Sequence, residues 1–488
     1  MARTTTPPAS KGAPAPPAGA SALETRFRLR ERGTSPRIEF IAGLTTFFTM
    51  AYIIFVNTDI MKVTGMDPVA LTIGTIIAAA VPTLVLGLWA DLPWALAPGM
   101  GYNALFAYTI VLGHQVPWQA ALALVFLDGI AFTLIVSGPW ARAIIEGIPL
   151  NLKLAAGAGI GLFIAFIGMV NSGVVQLSVS AELKPGVLPF GGSSALPVLG
   201  PLSSPSVVIA LLGLIITGWL MARNIRAAIL LGIVATTLLA WLAGAVSADW
   251  RAALAVHYPA GLGDIVQLPD LARWLNLGVF KMDFAGLSHF TTGALILFFL
   301  TFLVTDMMDS FGTFSGLAAK LGILDRNSNF PGSRQTMFVD AAAGAFGPLV
   351  GTATVATFIE SSAGVGEGGR TGLASVWTAI FFLLALFFVP LVGLVPPVAT
   401  APALLVVGFL MIEPVLKINF ADITEGLPAF LTLAVMPLTY SIADGMFAGI
   451  VSYVLLKLLT GRVRQVSLTM WAFAILLLLA KILDAVVT

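Results

Sequence analysis

The sequence predicts an all-α polytopic membrane protein of about fourteen spans, built as two inverted seven-span halves. Three observations carry that expectation. Only 10% of the 488 residues are charged and 58% are hydrophobic, too little charge to cover the surface of a soluble domain of this length. Apolar runs near twenty residues recur from Ile38 to the C-terminus, each long enough to cross a hydrocarbon core of about 30 Å. Two of these runs, the third and the tenth, are interrupted in ways that forbid a regular spanning helix.

The remaining composition narrows the chemistry. Net charge is +1, so neither nucleic acid nor an acidic tail is expected as a partner. The chain has no cysteine, which excludes disulfides, iron–sulfur clusters and thiol chemistry. Three histidines without paired spacing argue against zinc. No metal or cofactor is expected.

Residues 1–25 are rich in Pro, Ala, Ser and Thr, and the stretch 1–37 reads as a disordered, basic, cytoplasmic N-terminus. It is not a secretory signal, since no apolar stretch directly follows a basic start. Arg26, Arg28, Arg30, Arg32 and Arg37 come immediately before the first apolar run. The spans follow at about 38–61, 69–89, 93–112, 117–138, 151–173, 205–222, 227–246, 290–318, 335–350, 352–365, 371–390, 401–417, 426–441 and 443–460. A further apolar stretch, 467–487, either lies in the interface or crosses once more.

Basic residues orient the spans. With the N-terminus inside, the inner loops hold Arg142, Lys153, Arg223, Arg226, Lys320, Arg326, Arg334, Arg370, Lys417, Arg462 and Arg464. The outer loops hold Lys62, Lys184, Arg251, Arg273 and Lys281, mostly on the two longest connections. That asymmetry follows the positive-inside rule. The stretches 174–204 and 247–289 are then external, and the second, with Trp250, Trp274, Phe280 and Phe284, reads as interfacial amphipathic helix.

The third segment, Leu92 to Ala104, carries Pro93, Pro98, Gly99 and Gly101. These predict an extended piece and then a helix starting near Gly101. The tenth, Gly351 to Gly364, alternates β-branched residues before a helix opening near Glu360. Non-helical backbone at membrane depth survives only where protein buries it or a cavity receives it. The two segments stand seven spans apart, an odd number, which points to inverted repeats with a solute site where the half-helix starts meet. Ordinary kinks in packed helices would not explain the matching positions.

Acidic residues within apolar spans default to functional candidates. Asp306 and Asp309 in the eighth segment lie three apart and so share a helix face. Glu360 opens the half-helix of the tenth, where a carboxyl can take up and release a proton as its surroundings change. Asp340 is equally open to a functional or a structural role. Asp128 and Asp444 read as structural or as lying near a span end, and Asp59 as a cap or interfacial group. His114 and His289 receive no role.

Four runs in order resemble a known family: Thr45 to Ile53 (TTFFTMAYI), Ala97 to Ala104 (APGMGYNA), Asp306 to Thr313 (DMMDSFGT) and Ile359 to Gly372 (IESSAGVGEGGRTG). They are similar to the AzgA-type purine permeases of the nucleobase–cation symporter 2 (nucleobase–ascorbate transporter) family, over essentially all of 35–465. The resemblance implies a 7+7 inverted repeat with short strands and half-helices in segments 3 and 10. It implies a core domain from 38–138 and 290–390 and a gate domain from 139–246 and 391–466. An external loop 247–289 and a C-terminal segment 467–488 complete the chain. It further implies a homodimer in the cell membrane, with elevator-like import of hypoxanthine, guanine or adenine together with a proton. The family's site residues fall on Asn103, Asp309, Thr313 and Glu360, with Asp309 and Glu360 coupling the proton. Gly101, Ala104, Asp306, Asp340 and Ser361 are possible supporting positions. Met308 and Ser310 depart from the family's usual Phe and Thr and retune the pocket.

Two rival classes are open to test. An anion transporter of the sulfate/bicarbonate type would use the same architecture, but two acids in its pocket would repel the substrate. A membrane enzyme lacks any nucleophile–base pair, metal ligand set or phosphate loop in the sequence.

Overall fold

A computed structural model describes residues 22–138, 147–178, 196–325 and 330–487. Arg142, Lys184, Arg326 and the leader to residue 21 lie outside the described residues. The first half runs α1 (Ala22–Phe27), α2 (Pro36–Met50), α3 (Tyr52–Met61), α4 (Pro68–Trp89), β1 (Leu96–Pro98), α5 (Met100–Ala104), α6 (Trp118–Ser137), α7 (Leu150–Asn171), the antiparallel pair β2 (Val175–Ser178) and β3 (Leu196–Leu199), α8 (Pro205–Ala222) and α9 (Ala228–Val246). The second runs α10 (Ala248–Ala253), α11 (Leu271–Leu277), α12 (Thr292–Leu321), α13 (Ser333–Leu349), β4 (Val355–Thr357), α14 (Ser362–Gly366), α15 (Gly372–Ala385), α16 (Pro397–Met411), α17 (Ile423–Thr439), α18 (Ile442–Leu459) and α19 (Leu468–Val487). Ten helices among the described residues are long and apolar enough to cross a membrane, and Met100–Gly113, Gly372–Phe388 and Ile423–Thr439 are shorter apolar helices.

Several starts are written as a capping residue followed by proline. Ser35 before Pro36, Asp67 before Pro68 and Ser204 before Pro205 each accept a bond from a first-turn N–H. The cap satisfies an orphan donor, and proline at the first helical position lacks the N–H that would otherwise be unpaired.

The helices sort into two packing groups. In one, α2 to α6 pack with α12 to α15; in the other, α7 to α9 pack with α16 to α18. Small residues set the closest approaches: a Cβ on Gly372 of α15 would lie 1.8 Å from the Gly87 carbonyl oxygen of α4. Helix α19 touches both groups. Its Lys481 pairs with Asp444 at the start of α18 at 2.5 Å, and Asp484 accepts from Thr291 before α12, also at 2.5 Å. Near its own start, Ser467 donates to Gly147. The stretch 467–487 therefore runs antiparallel to α12 and α18 along their length.

The expected disorder through residue 37 is corrected from Ala22 onward. Ala22–Phe27 is helical, Phe27 and Leu29 are buried with Leu373, and Arg32 pairs with Asp91 at 2.9 Å. The reason is the alternation Arg26-Phe27-Arg28-Leu29-Arg30, whose apolar members point inward while a composition average sees only charge.

The 247–289 connection forms two short α-helices, α10 and α11, and two 3-10 turns, Leu262–Asp264 and Ala285–His289. Its Trp274 indole N–H donates to the Val350 carbonyl at 2.9 Å. Arg273 donates to both Asp67 carboxylate oxygens, at 3.0 and 2.6 Å. Burial alone would raise the Asp67 pKa, but bonds from Arg273 and the Ala70 N–H outweigh it and hold the group below 3.8. A depressed carboxyl stabilises the fold above its unfolded pKa and loses that contribution as pH falls through the folded value. Because the pair is largely exposed, it is worth about 0.2–1 kcal/mol. Amide exchange around Arg273, corrected for its intrinsic pH dependence, should therefore quicken in the wild type only in acid, as pH falls through the depressed Asp67 pKa. In Arg273→Ala it should be quick already at neutral pH; equal protection in both would show that the ion pair does not hold this loop.

Candidate solute site

The two interrupted segments meet. β1 and β4 pair antiparallel, with Leu96 opposite Thr357, Ala97 opposite Ala356 and Pro98 opposite Val355. The pairing is extended by Gly99 N–H to Thr354 O and Phe358 N–H to Ala95 O, both 3.0 Å. Every ladder residue is buried, so this irregular backbone is satisfied by protein at membrane depth. Antiparallel pairing sends the chain out at opposite ends of the ladder. One end leads into α5, prolonged by a π-helical stretch Leu105–Gly113, and the other into the turn Ile359–Ser361 and α14.

The acids gather around this ladder. Glu360 accepts a hydrogen bond from the Tyr52 hydroxyl of α3 at 2.7 Å. Asp309 of α12 accepts one from the Tyr102 hydroxyl of α5 at 3.2 Å. Asp309 and Glu360 lie within electrostatic reach of one another. Asp309, Gly312 and Ile359 are exposed although they fall mid-segment, so an opening reaches the acids, and Thr313 stands partly exposed one turn beyond Asp309. Gly101 faces the other packing group, where a Cβ would lie 2.5 Å from Ile160 Cγ2.

Asp340 of α13 supports the site from behind. It accepts from the Thr357 N–H at 2.7 Å, the Thr357 hydroxyl at 2.6 Å and the Ser310 hydroxyl at 2.5 Å. It thereby ties the end of β4 to α12 beside Asp309. Ser361 accepts from the Ala95 N–H at 2.9 Å, which ties the second half-helix to the strand of the first.

Other expected residues stand apart from the opening. Asn103 is fully buried and its amide donates to Asn57 Oδ1. Asn57 in turn donates to Thr75 at 2.6 Å and Thr352 at 3.0 Å. Ala104 is fully buried, and Asp306 is buried beside the Tyr102 hydroxyl. Sequence reasoning did not single out Tyr52, Tyr102 or Asn57. A hydroxyl or amide isolated in an apolar run was the available signal, because such a group must find a buried partner.

This geometry defines a membrane protein whose two interrupted segments pair in a buried strand ladder with two tyrosine-bonded acids beside it. The chain belongs to the Permease family (Xan_ur_permease), which matches residues 37–446; it is a multi-pass membrane permease and not an enzyme. It is 38% identical to adenine permease AdeP of Escherichia coli (strain K12) over 461 residues, covering 94% of this chain and 96% of that one. Guanine/hypoxanthine permease PbuO of Bacillus subtilis (strain 168) is 37% identical over 454 residues, 92% and 98% of the two chains. Among solved structures, the transmembrane domain of a cyanobacterium bicarbonate transporter, BicA, superposes with TM-score 0.56 at 14% identity over 84% of this chain and 97% of that one. SLC26A9 gives 0.59 at 11% identity over 90% and 67%. Those two likenesses show the fold alone.

Proposed function

We propose that this permease imports purine nucleobases, namely hypoxanthine, guanine or adenine, in symport with a proton. The observation that carries the reading is the pair of carboxyls, Asp309 and Glu360, each oriented by a tyrosine hydroxyl at the opening beside the strand ladder. A purine offers ring N–H donors that suit carboxylate acceptors, whereas an anion would meet two acids. Relatives named for adenine and for guanine and hypoxanthine support the substrate class. Asp309 and Glu360 would also exchange the proton with solution as the base arrives and leaves. Thr313 lies close enough along α12 to join the base contacts. Asn103 would act through Asn57, holding the first half-helix in place.

The α2–α6 and α12–α15 group would be the moving core and the α7–α9 and α16–α18 group the gate, in an elevator-like cycle within a homodimer. The N-terminus would face the cytoplasm of a cell whose plasma or inner membrane holds the protein.

Cells expressing the protein should accumulate labelled hypoxanthine, guanine or adenine. Uptake should fall with a protonophore and as external pH rises, and should ignore sodium. Competition by sulfate or bicarbonate but by no purine would overturn the substrate class. Sodium-dependent uptake that resists the protonophore would overturn the coupling.

A further inference from the structure

The arginines ahead of the first span are held in a fixed arrangement. Between Ala22 and Arg37 five arginines stand against two glutamates. Phe27 and Leu29 are buried beside Leu373 of α15, while Arg28 and Arg30 on either side of Leu29 stay exposed. The Leu29 carbonyl accepts from the Thr34 N–H at 2.9 Å, and the Glu24 carboxylate accepts from the Arg30 N–H at 3.1 Å, so the segment folds back on itself. Two of the five arginines serve the fold. Arg26 donates to the Leu88 carbonyl near the end of α4. Arg32 pairs with Asp91 at 2.9 Å and donates to the Asp91 and Arg370 carbonyls at 2.9 and 3.3 Å. Arg28, Arg30 and Arg37 are exposed and enter no ion pair among the described residues.

A further arginine comes from α13. Gly332, just before that helix, lies so close to the end of α4 that a Cβ on it would be 2.9 Å from the Ala90 carbonyl oxygen. Two residues on, Arg334 is exposed. One turn later Phe338 packs edge-on against Trp89, with 5.5 Å between ring centroids. Trp89 is 53% exposed, and Phe40 and Phe338 are exposed as well. Tryptophan at the end of a span sits at the level of the lipid headgroups, and arginine carries its charge to that level on an apolar stem. Guanidinium groups and exposed rings in one rim suit a headgroup layer, whose phosphates take charge-assisted bonds while the acyl chains meet the rings.

We propose that Arg28, Arg30, Arg37 and Arg334 form a docking surface for the headgroups of anionic phospholipids, in the leaflet on the side of the N-terminus. The surface is carried by α4, α13 and α15, which pack in one helix group, so the lipid engages that group alone. It is independent of which solute the protein carries.

The test uses full-length protein in neutral detergent, with phosphatidylglycerol or phosphatidylcholine titrated in and bound lipid counted by native mass spectrometry. The wild type should bind phosphatidylglycerol at least about tenfold more tightly than phosphatidylcholine, and more weakly as salt rises. Each basic residue beside an anionic surface strengthens association about fivefold. The triple variant Arg28→Gln, Arg30→Gln, Arg37→Gln should therefore lose at least about tenfold in phosphatidylglycerol affinity. The triple Arg→Lys variant at the same positions keeps the charge and should stay within about threefold of wild type. Arg223→Gln, in the loop between α8 and α9, should change nothing. Equal binding of the two lipids by the wild type, indifference to salt, or full phosphatidylglycerol binding in the triple glutamine variant would each overturn the surface. An equal loss in the lysine variant would overturn it in favour of a structural role for the arginines, and an equal loss in Arg223→Gln in favour of diffuse charge. Displacement of the lipid by an equal concentration of inorganic phosphate would overturn it in favour of a site for a free anion.

Discussion

Glu360→Gln should bind purine base about tenfold to a hundredfold more weakly than wild type, and Asp309→Asn should lose a similar amount. Each substitution keeps the side chain's size and one acceptor oxygen, and removes its ionisation. A hydrogen bond to a charged group contributes about 1.5–3 kcal/mol, and each 1.4 kcal/mol is about tenfold in affinity. Tyr52→Phe should lose less, because it removes the hydroxyl that orients Glu360 at 2.7 Å and leaves the carboxylate in place. Tyr102→Phe should act on Asp309 in the same way. Calorimetric titration of purified protein with the base reads these differences directly. Unchanged affinity in both acid variants would place the base elsewhere.

Asp340→Ala should be the most disruptive single change in this region. Asp340 accepts three hydrogen bonds, from the Thr357 N–H, the Thr357 hydroxyl and the Ser310 hydroxyl. Removing the acceptor strands three buried donors at once. Each buried donor left without a partner costs about 1–3 kcal/mol. The damage falls on the end of β4, from which the chain enters the Glu360 turn. The variant should unfold at a clearly lower temperature in detergent and fail to bind base. Asp340→Asn retains one acceptor oxygen and should fall between it and wild type. A thermal midpoint in Asp340→Ala equal to wild type would show that the carboxylate does not hold β4 in place.

Much of the architecture was legible because it is local. Pro93, Pro98, Gly99 and Gly101 mark the first interruption within a few residues, and the Thr-Ala-Thr-Val-Ala-Thr run from Thr352 to Thr357 marks the second. The acids Asp309 and Glu360 stood out because charge in an apolar run is costly. What escaped depends on partners far away in sequence. The ladder joins residues 96–98 to 355–357, and no periodicity announces that pairing. Tyr52 finds Glu360 across 308 positions. The resemblance put Asn103 among the site residues, but no sequence pattern shows that its amide bonds Asn57 in a buried network. The C-terminal stretch 467–487 was ambiguous because apolar length alone does not orient a helix; Lys481, Asp484 and Ser467 find their partners far away in sequence and give its direction.

The central claim is that Asp309 and Glu360 together receive a neutral purine. Equilibrium binding of labelled adenine, guanine or hypoxanthine to purified wild type, Glu360→Gln and Asp309→Asn, with sulfate and bicarbonate as competitors, tests it most directly. At least one of the three purines should bind the wild type and lose at least about tenfold in each variant, and neither anion should displace it. Equal binding in all three proteins, or displacement by the anions, would contradict the account.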